Sequence, residues 1–139
     1  DSKALIVLVD KPVKVEFYVR EVPEIAWNLI DVADKPLTIV YPNARNLATN
    51  VLADDGSVGI RITQETFSRK LCERFRKAIV STSANISGQP APTNFNEISD
   101  EIKQAVDYVV TYRQDDPYQP SPSSVIWIGE GGVIKILRP

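Results

Sequence analysis

The chain has 139 residues, of which 43% are hydrophobic and 24% charged, and its net charge is −2. This composition is typical of a globular domain, and no apolar run approaches the roughly 18 residues needed to cross a membrane. The absence of histidine excludes Ser-His-Asp and Cys-His catalysis and removes the commonest zinc ligand. The single cysteine, Cys72, excludes an internal disulfide and fits a reducing, cytoplasmic compartment. We expect one domain over residues 1–139.

Strand and helix patterns alternate through the first half of the chain. Residues 4–9 form a continuous apolar run, which suits a strand buried on both faces. Pro23 can occupy the first turn of a helix, because helical apolar spacing follows it. Residues 37–41 and 58–62 are strand-like. This alternation predicts an α/β fold.

The next helix is predicted to start at Thr63, a suitable N-cap residue. Its buried stripe is predicted to comprise Phe67, Leu71 and Phe75, which recur at helical spacing. Cys72 lies within that stripe, so we interpret it as a small buried residue rather than a nucleophile.

The second half of the chain continues the alternation. Residues 78–80 predict a strand, residues 98–106 a short amphipathic helix and residues 108–111 another strand. Residues 124–128 and 133–137, joined by a Gly-rich turn, predict a terminal β-hairpin.

A polar turn follows the strand predicted at 78–80. Ser81, Ser83 and Asn85 alternate there, so an extended backbone would point them to one side. Hydroxyls, amides and nearby backbone N–H groups can hold a phosphate or a carboxylate at such a strand end. The alternative is a Ser/Asn-rich turn that only caps the strand.

Several segments resemble one family. Residues 81–88, STSANISG, resemble the STSAN-x-SG signature of the YrdC-like family, the threonylcarbamoyl-AMP synthases. Residues 57–61 are similar to its Thr/Ser-x-x-x-Arg strand, residues 122–126 to its Pro-Ser-Thr-Val-Val, and residues 136–139 to its Leu-Arg-Pro-Gly close. They follow family order and spacing. The resemblance implies a twisted, open mixed sheet with flanking helices.

The chain departs from the family pattern in two places. Residues 34–38, DKPLT, stand where the family usually has Pro-Gly-Pro-x-Thr, so a glycine that permits close backbone approach is missing. The family also has an N-terminal part with a threonine-binding loop and a Lys-x-Arg motif. Lys3 and its neighbours resemble the end of the block that contains this motif. The resemblance therefore implies a member lacking that part, with weak or no activity if the part is truly absent.

The function implied is synthesis of threonylcarbamoyl-AMP from L-threonine, bicarbonate and ATP, with release of pyrophosphate. The product would serve the threonylcarbamoyl modification of tRNA position 37 through a downstream transferase complex. Threonine's amine captures carbon dioxide as a carbamate, which attacks the α-phosphorus of ATP. No protein nucleophile is needed, and Mg²⁺ would be carried largely by the phosphates. We therefore expect neither a catalytic side chain nor a metal cage.

Site residues follow from the resemblance, position by position. Arg61 would pair with the carboxylate of the substrate threonine through its guanidinium fork. Thr38 corresponds loosely to the threonine residue of the family's Pro-Gly-Pro-x-Thr motif. Asn85 would steady the phosphates or the turn itself. The full sets implied are Arg61, Ser81 and Ser124 for L-threonine, and Lys3, Ser57, Ser83, Asn85, Ala91 and Arg138 for the nucleotide.

Two alternatives stay open. The chain could be a non-catalytic RNA-binding module of the same fold, whose binding would weaken steeply with salt. It could also correspond to the YrdC-like part of a larger carbamoyltransferase, although the acylphosphatase-like and zinc-finger segments of such proteins are not in the sequence.

Overall fold

The computed structural model describes residues 5–139, which contain a six-stranded mixed sheet. The strands are β1 (Ile6–Val9), β2 (Leu37–Tyr41), β3 (Val58–Ile62), β4 (Ile79–Ser81), β5 (Ser124–Ile128) and β6 (Ile134–Arg138). The helices are α1 (Val15–Tyr18), α2 (Glu24–Val32), α3 (Thr66–Phe75) and α4 (Asp100–Ala105). Short 3-10 turns occupy Pro12–Lys14, Thr49–Val51, Phe95–Glu97 and Glu130–Gly132.

The strand order is β4-β1-β3-β2-β5-β6. β1 runs parallel to β3 and β2 parallel to β5, whereas the other neighbouring pairs are antiparallel. This confirms the predicted α/β class with a mixed sheet. The predicted strands at 37–41 and 58–62 are confirmed residue for residue, and the terminal hairpin is formed by β5 and β6.

One face of the sheet is apolar and covered. Alternate strand residues on this face join a buried cluster with α1 and α2. Ala26 of α2 is fully buried in it. The strand members are Val7, Val9, Ile39, Tyr41, Val58, Ile60 and Ile128. Burial raises the pKa of Tyr41 far above its ordinary value, so the phenol stays neutral. We call this side of the sheet the helix side.

The start and the buried stripe predicted for the third helix were wrong. Glu65, not Thr63, is the N-cap of α3, and its carboxylate accepts hydrogen bonds from the N–H groups of Phe67 and Ser68. Leu71 and Phe75 are 45% and 57% exposed, because the helix turns Cys72 towards β1 instead. The prediction that Cys72 is buried is confirmed, since it is only 1% exposed.

The strand predicted at residues 108–111 is also wrong. These β-prone residues belong to none of the sheet's strands, and Val110 O accepts a hydrogen bond from the Gln114 side chain instead. The preceding helix is confirmed as α4, where Ser99 caps the N–H of Ile102. A segment with β propensity does not form a strand of the sheet when no neighbouring strand is available for backbone hydrogen bonds.

Contacts divide the chain into two compact units. One comprises residues 5–81 and 123–139, and so holds the whole sheet with α1, α2 and α3. The other comprises residues 82–122 and holds α4 and most of the polar turn. The single domain proposed over residues 1–139 stays a prediction.

An ion pair follows β1. Lys14 Nζ donates to Asp10 Oδ1, while Asp10 Oδ2 is buried with no hydrogen-bond partner among residues 5–139. Burial is the largest single influence and would raise the pKa of Asp10, but the hydrogen bond from Lys14, a backbone hydrogen bond and the positive charges of Lys14 and Lys11 together outweigh it and hold the pKa below its ordinary value. The ionised carboxylate therefore stabilises the fold above about pH 4, and this contribution disappears as pH falls through the lowered pKa.

We expect Asp10→Asn to lower the free energy of unfolding by about 1–2 kcal/mol at neutral pH, because it removes a charged hydrogen bond. The difference from wild type should vanish in acid. Urea unfolding at a series of pH values measures it, with Asp34→Asn on the exposed surface as the control. A deficit that persists unchanged at the lowest pH would contradict the role of this charge.

Candidate functional site

The second face of the sheet carries polar and charged side chains. Arg61 on β3 lies directly opposite Thr38 on β2, so both point to this face, away from the helix side. Leu8 on β1 lies beside Arg61 in the same row. We call this side of the sheet the polar side.

A hydroxyl pair adjoins that row. The side-chain oxygens of Thr38 and Ser123 are 2.8 Å apart and both residues are buried, at 1% and 3% exposure. Ser123 also binds Arg138, whose Nε donates to the Ser123 carbonyl at 2.7 Å and whose Nη2 donates to the Ser123 hydroxyl at 3.2 Å. The guanidinium of Arg138 is therefore held in place by two bonds to one residue.

A β-bulge decides the direction of Arg138. In the β5–β6 ladder Ile126 pairs with Ile136, but Val125 pairs with Arg138, which leaves Leu137 as the extra residue. Without the bulge Arg138 would stand on the helix side, since a one-residue shift exchanges the faces of a strand. The bulge brings Arg138 to the face that holds Thr38 and Arg61.

Arg61 carries a charge without a counter-ion in the described chain. It is half-buried and makes no ion pair or hydrogen bond among residues 5–139. Burial lowers the pKa of Arg61, and the positive charge of Arg138 lowers it further. Two guanidinium groups with adjacent hydroxyls, and with no carboxylate partner in the described part of the chain, make this cluster suited to an anion, a carboxylate or a phosphate.

Gly59 opens the floor of the polar side. It lies two residues before Arg61 on β3, in an inner strand where glycine weakens packing. A Cβ at this position would stand 3.3 Å from Thr38 Cγ2 and 4.0 Å from Ile6 Cγ1. The missing side chain therefore leaves room for a ligand to approach the backbone beside Thr38 and Arg61.

Ser57 and Ser81 lie at the other end of this face. Ser81 pairs with Ile6, and Ile6 pairs with Gly59, so Ser81 shares the polar side. Ser57 precedes β3 and is buried, and its N–H donates to Asp55 at 3.0 Å. Hydrogen bonds from the Ser57 side chain and backbone lower the pKa of Asp55, so the Ser57 hydroxyl is engaged in the turn before β3.

The structure separates the two serines at the start of β5. Ser124 is in register with Leu37, which packs against the buried cluster, so Ser124 belongs to the helix side. Ser123, one residue earlier, is the hydroxyl on the side of Arg61. The sequence motif assigned the role to Ser124, whereas the structure places Ser123 on the face of Arg61. The hydroxyl contact between Thr38 and Ser123 distinguishes the two serines, but such a contact has no signal in sequence.

The remaining predicted residues belong to the unit of residues 82–122. The Asn85 amide nitrogen donates to the carbonyls of Ile86, at 3.2 Å, and Gln89, at 2.7 Å, so it braces its own turn. Gly88 has a positive φ of 87° in that turn, which favours glycine. Ser83 and Ala91 are exposed, and Lys3 lies outside the described residues.

Residues 5–139 bring together no group of three His, Cys, Asp or Glu side chains that could hold a metal ion. None of the helices in this range has both the length and the apolarity to span a bilayer.

The family model described as telomere recombination, which covers the Sua5, YciO and YrdC proteins, matches residues 1–139. The chain belongs to the Sua5/YciO/YrdC family. This confirms the resemblance drawn from the STSAN-like segment and its companions. The six-stranded mixed sheet is thus the family's fold rather than a chance likeness.

Curated relatives in this family are synthases by name. The threonylcarbamoyl-AMP synthase of Vibrio cholerae is 30% identical over 123 residues, which cover 86% of this chain and 65% of the relative. A putative threonylcarbamoyl-AMP synthase of Methanocaldococcus jannaschii is 32% identical over 136 residues, which cover 97% of this chain and 62% of the relative. The chain therefore spans less than two thirds of the length of these relatives.

Solved structures agree on the fold. Sua5 of Pyrococcus abyssi in complex with L-threonine superposes with a TM-score of 0.72 at 25% identity, covering 99% of this chain and 40% of Sua5. YciO of Escherichia coli gives a TM-score of 0.78 at 16% identity, covering 96% of this chain and 64% of YciO. The second likeness supports the architecture alone.

The charge pair on the polar side has a consequence for stability. We expect Arg61→Met, which keeps the apolar stem, to raise the free energy of unfolding by up to about 1 kcal/mol at low salt, because it relieves repulsion with Arg138. The gain should shrink as salt screens the charges. Thermal unfolding at two ionic strengths measures it, with Arg69→Met on α3 as the exposed control. A loss of stability at low salt would contradict this account.

Proposed function

We propose that the protein synthesises threonylcarbamoyl-AMP from L-threonine, bicarbonate and ATP and releases pyrophosphate. Its family membership and the name of the Vibrio cholerae relative support the reaction. The observation that carries the proposal is the Arg61–Arg138 pair beside the Thr38–Ser123 hydroxyls. That cluster matches the anionic groups of both substrates, an amino-acid carboxylate and a polyphosphate.

Arg61 is proposed to bind the threonine carboxylate. A half-buried guanidinium with no ion pair among residues 5–139 is ready to accept a bidentate carboxylate, which would also offset its repulsion from Arg138. Sua5 of Pyrococcus abyssi, a structural neighbour, is a protein solved with L-threonine. Ser81 and Ser123 are the hydroxyls of the polar side that we assign to the amino acid, with Ser123 in place of Ser124.

The nucleotide is assigned to the other predicted residues. Arg138, fixed by Ser123, is proposed to contact phosphate. Ser57, Ser83, Asn85, the Ala91 backbone and Lys3 stay proposed contacts from the family resemblance. Mg²⁺ is proposed to enter bound to the phosphates, whose oxygens are the ligands that it prefers.

The proposed chemistry needs no covalent enzyme intermediate. Bicarbonate takes up a proton and releases water to give carbon dioxide. The threonine amine adds to the carbon dioxide and loses a proton, which gives a carbamate. A carbamate oxygen then forms a bond to the α-phosphorus of ATP while the bond to the bridging oxygen breaks, and pyrophosphate leaves. The chain's part is to orient the two substrates and to stabilise negative charge with Arg61 and Arg138.

The product would pass to a transferase complex that modifies adenosine 37 of tRNA, which would place the protein in the cytoplasm.

The decisive experiment is pyrophosphate release from ATP by the purified protein, with threonine and bicarbonate each omitted in turn. Release that requires both supports the synthase. No release, together with salt-sensitive tRNA binding, would favour the RNA-binding alternative.

Two neighbouring serines give a matched test of the site. We expect Ser123→Ala to lower kcat/KM for threonine about tenfold, because it removes the hydroxyl between Thr38 and Arg138. Ser124→Ala, on the helix side, should change it less than about twofold. Steady-state pyrophosphate release measures both variants. The reverse order of effects would return the assignment to Ser124.

Gly59 tests the floor of the site. We expect Gly59→Ala to reduce kcat/KM at least about tenfold while changing stability by less than about 1 kcal/mol, because its Cβ would meet Thr38 at 3.3 Å within the space kept for substrate. Kinetics and urea unfolding on the same variant separate the two effects. Unchanged kinetics would show that no ligand approaches Gly59.

A further inference from the structure

Thr38 lies inside a row of side chains that crosses the polar side from one arginine to the other. Arg61 on β3 pairs with Thr38 on β2. Thr38 also pairs with Val125 on β5, which in turn pairs with Arg138 on β6. Residues directly opposite each other on neighbouring strands share a face of the sheet. Thr38 and Val125 therefore form the floor between the two guanidinium groups.

The two branches of the Thr38 side chain face opposite neighbours. Its hydroxyl lies 2.8 Å from that of Ser123, the residue before β5. Its methyl group faces β3, where a Cβ added to Gly59 would be 3.3 Å away. A β-branched side chain is stiff about its Cα–Cβ bond. The methyl group packed towards Gly59 therefore keeps the hydroxyl turned to Ser123.

The contact between Thr38 and Ser123 is secured by the chain itself. Ser124 N donates to Pro36 O at 3.0 Å, so a backbone bond joins the same two segments beside the hydroxyl pair. Both hydroxyl-bearing residues are buried. A segment of any origin lying over this face would therefore leave their contact unchanged.

The hydroxyl pair has one proton to spare. Each hydroxyl carries a single proton and can accept two hydrogen bonds. If Ser123 donated to Thr38, the Thr38 proton would be buried with no acceptor among residues 5–139. Buried donors are almost always paired, so Thr38 is the donor. Ser123 Oγ then accepts from Thr38 and from Arg138, and its own proton is left for a ligand.

We propose that Thr38 is a positioning residue of the substrate site, which acts through Ser123 on Arg138. This role rests on the proposed function and gives Thr38 no substrate contact of its own. The Thr38 bond fixes Ser123, which holds the Arg138 guanidinium for a phosphate. It also directs the Ser123 proton towards the amino acid, whose carbamate must meet the α-phosphorus.

The test is a double-mutant cycle on ATP binding, measured by isothermal titration calorimetry without threonine or bicarbonate. We expect Thr38→Val, which keeps the shape of the side chain and removes its hydroxyl, to weaken binding about tenfold. Arg138→Met should weaken it at least as much. In the Arg138→Met background, Thr38→Val should add less than about a twofold loss, because Thr38 acts through Arg138.

Two further variants control for shape and for burial. Thr38→Ser keeps the hydroxyl and should bind ATP within about threefold of wild type. Thr63→Val should stay within about twofold. Thr63 is also buried, and its hydroxyl lies 2.6 Å from that of Ser68, but it follows β3 outside the row. Should Thr38→Val fail to melt cooperatively, Thr38→Ala takes its place in the cycle.

A second measurement reports on Arg138 without any ligand. Its Nε–H donates to the Ser123 carbonyl at 2.7 Å, so this proton is protected from solvent exchange while the bond is made. We expect its exchange, followed by ¹⁵N NMR, to be about tenfold faster in Thr38→Val than in wild type or Thr63→Val.

The outcomes separate this role from the proposed function. Fully additive losses in the cycle, an equal loss of ATP binding in Thr63→Val, or unchanged exchange at Arg138 in Thr38→Val would overturn the positioning role. ATP binding that Arg138→Met leaves unchanged, together with faster exchange at Arg138 in Thr38→Val, would instead overturn the nucleotide assignment of Arg138. The link from Thr38 to Arg138 would then stand.

Discussion

The register between neighbouring strands is the constraint on which both faces of this protein depend. Because side chains alternate along a strand, the pairing of Thr38 with Arg61 sends these two residues to one face and Ile39 and Ile60 to the other. The second pair closes the core under α1 and α2. A slip of one residue would bury a guanidinium among aliphatic side chains. Hydrophobic burial on one side therefore holds the charged residue in position on the other.

The polar side is built to hold positive charge that the described chain does not neutralise. Ser123 holds Arg138 by two hydrogen bonds, and Thr38 holds Ser123, so Arg138 cannot easily turn away from Arg61. Repulsion between the guanidiniums is a free-energy cost that an anionic ligand would offset. Sites of this kind are less stable than they could be, because the compensating charge belongs to the ligand.

Much of the fold could be predicted from sequence, since continuous apolar runs and the hairpin pattern identified strands of the sheet and the motifs identified the family. The features that sequence alone could not decide share a cause. The stripe of α3 was misplaced because helical spacing shows which residues share a face but not where that face points. The choice between Ser123 and Ser124 depends on the ladder between β2 and β5, and the direction of Arg138 depends on a bulge at Leu137. These are tertiary facts without a local signal.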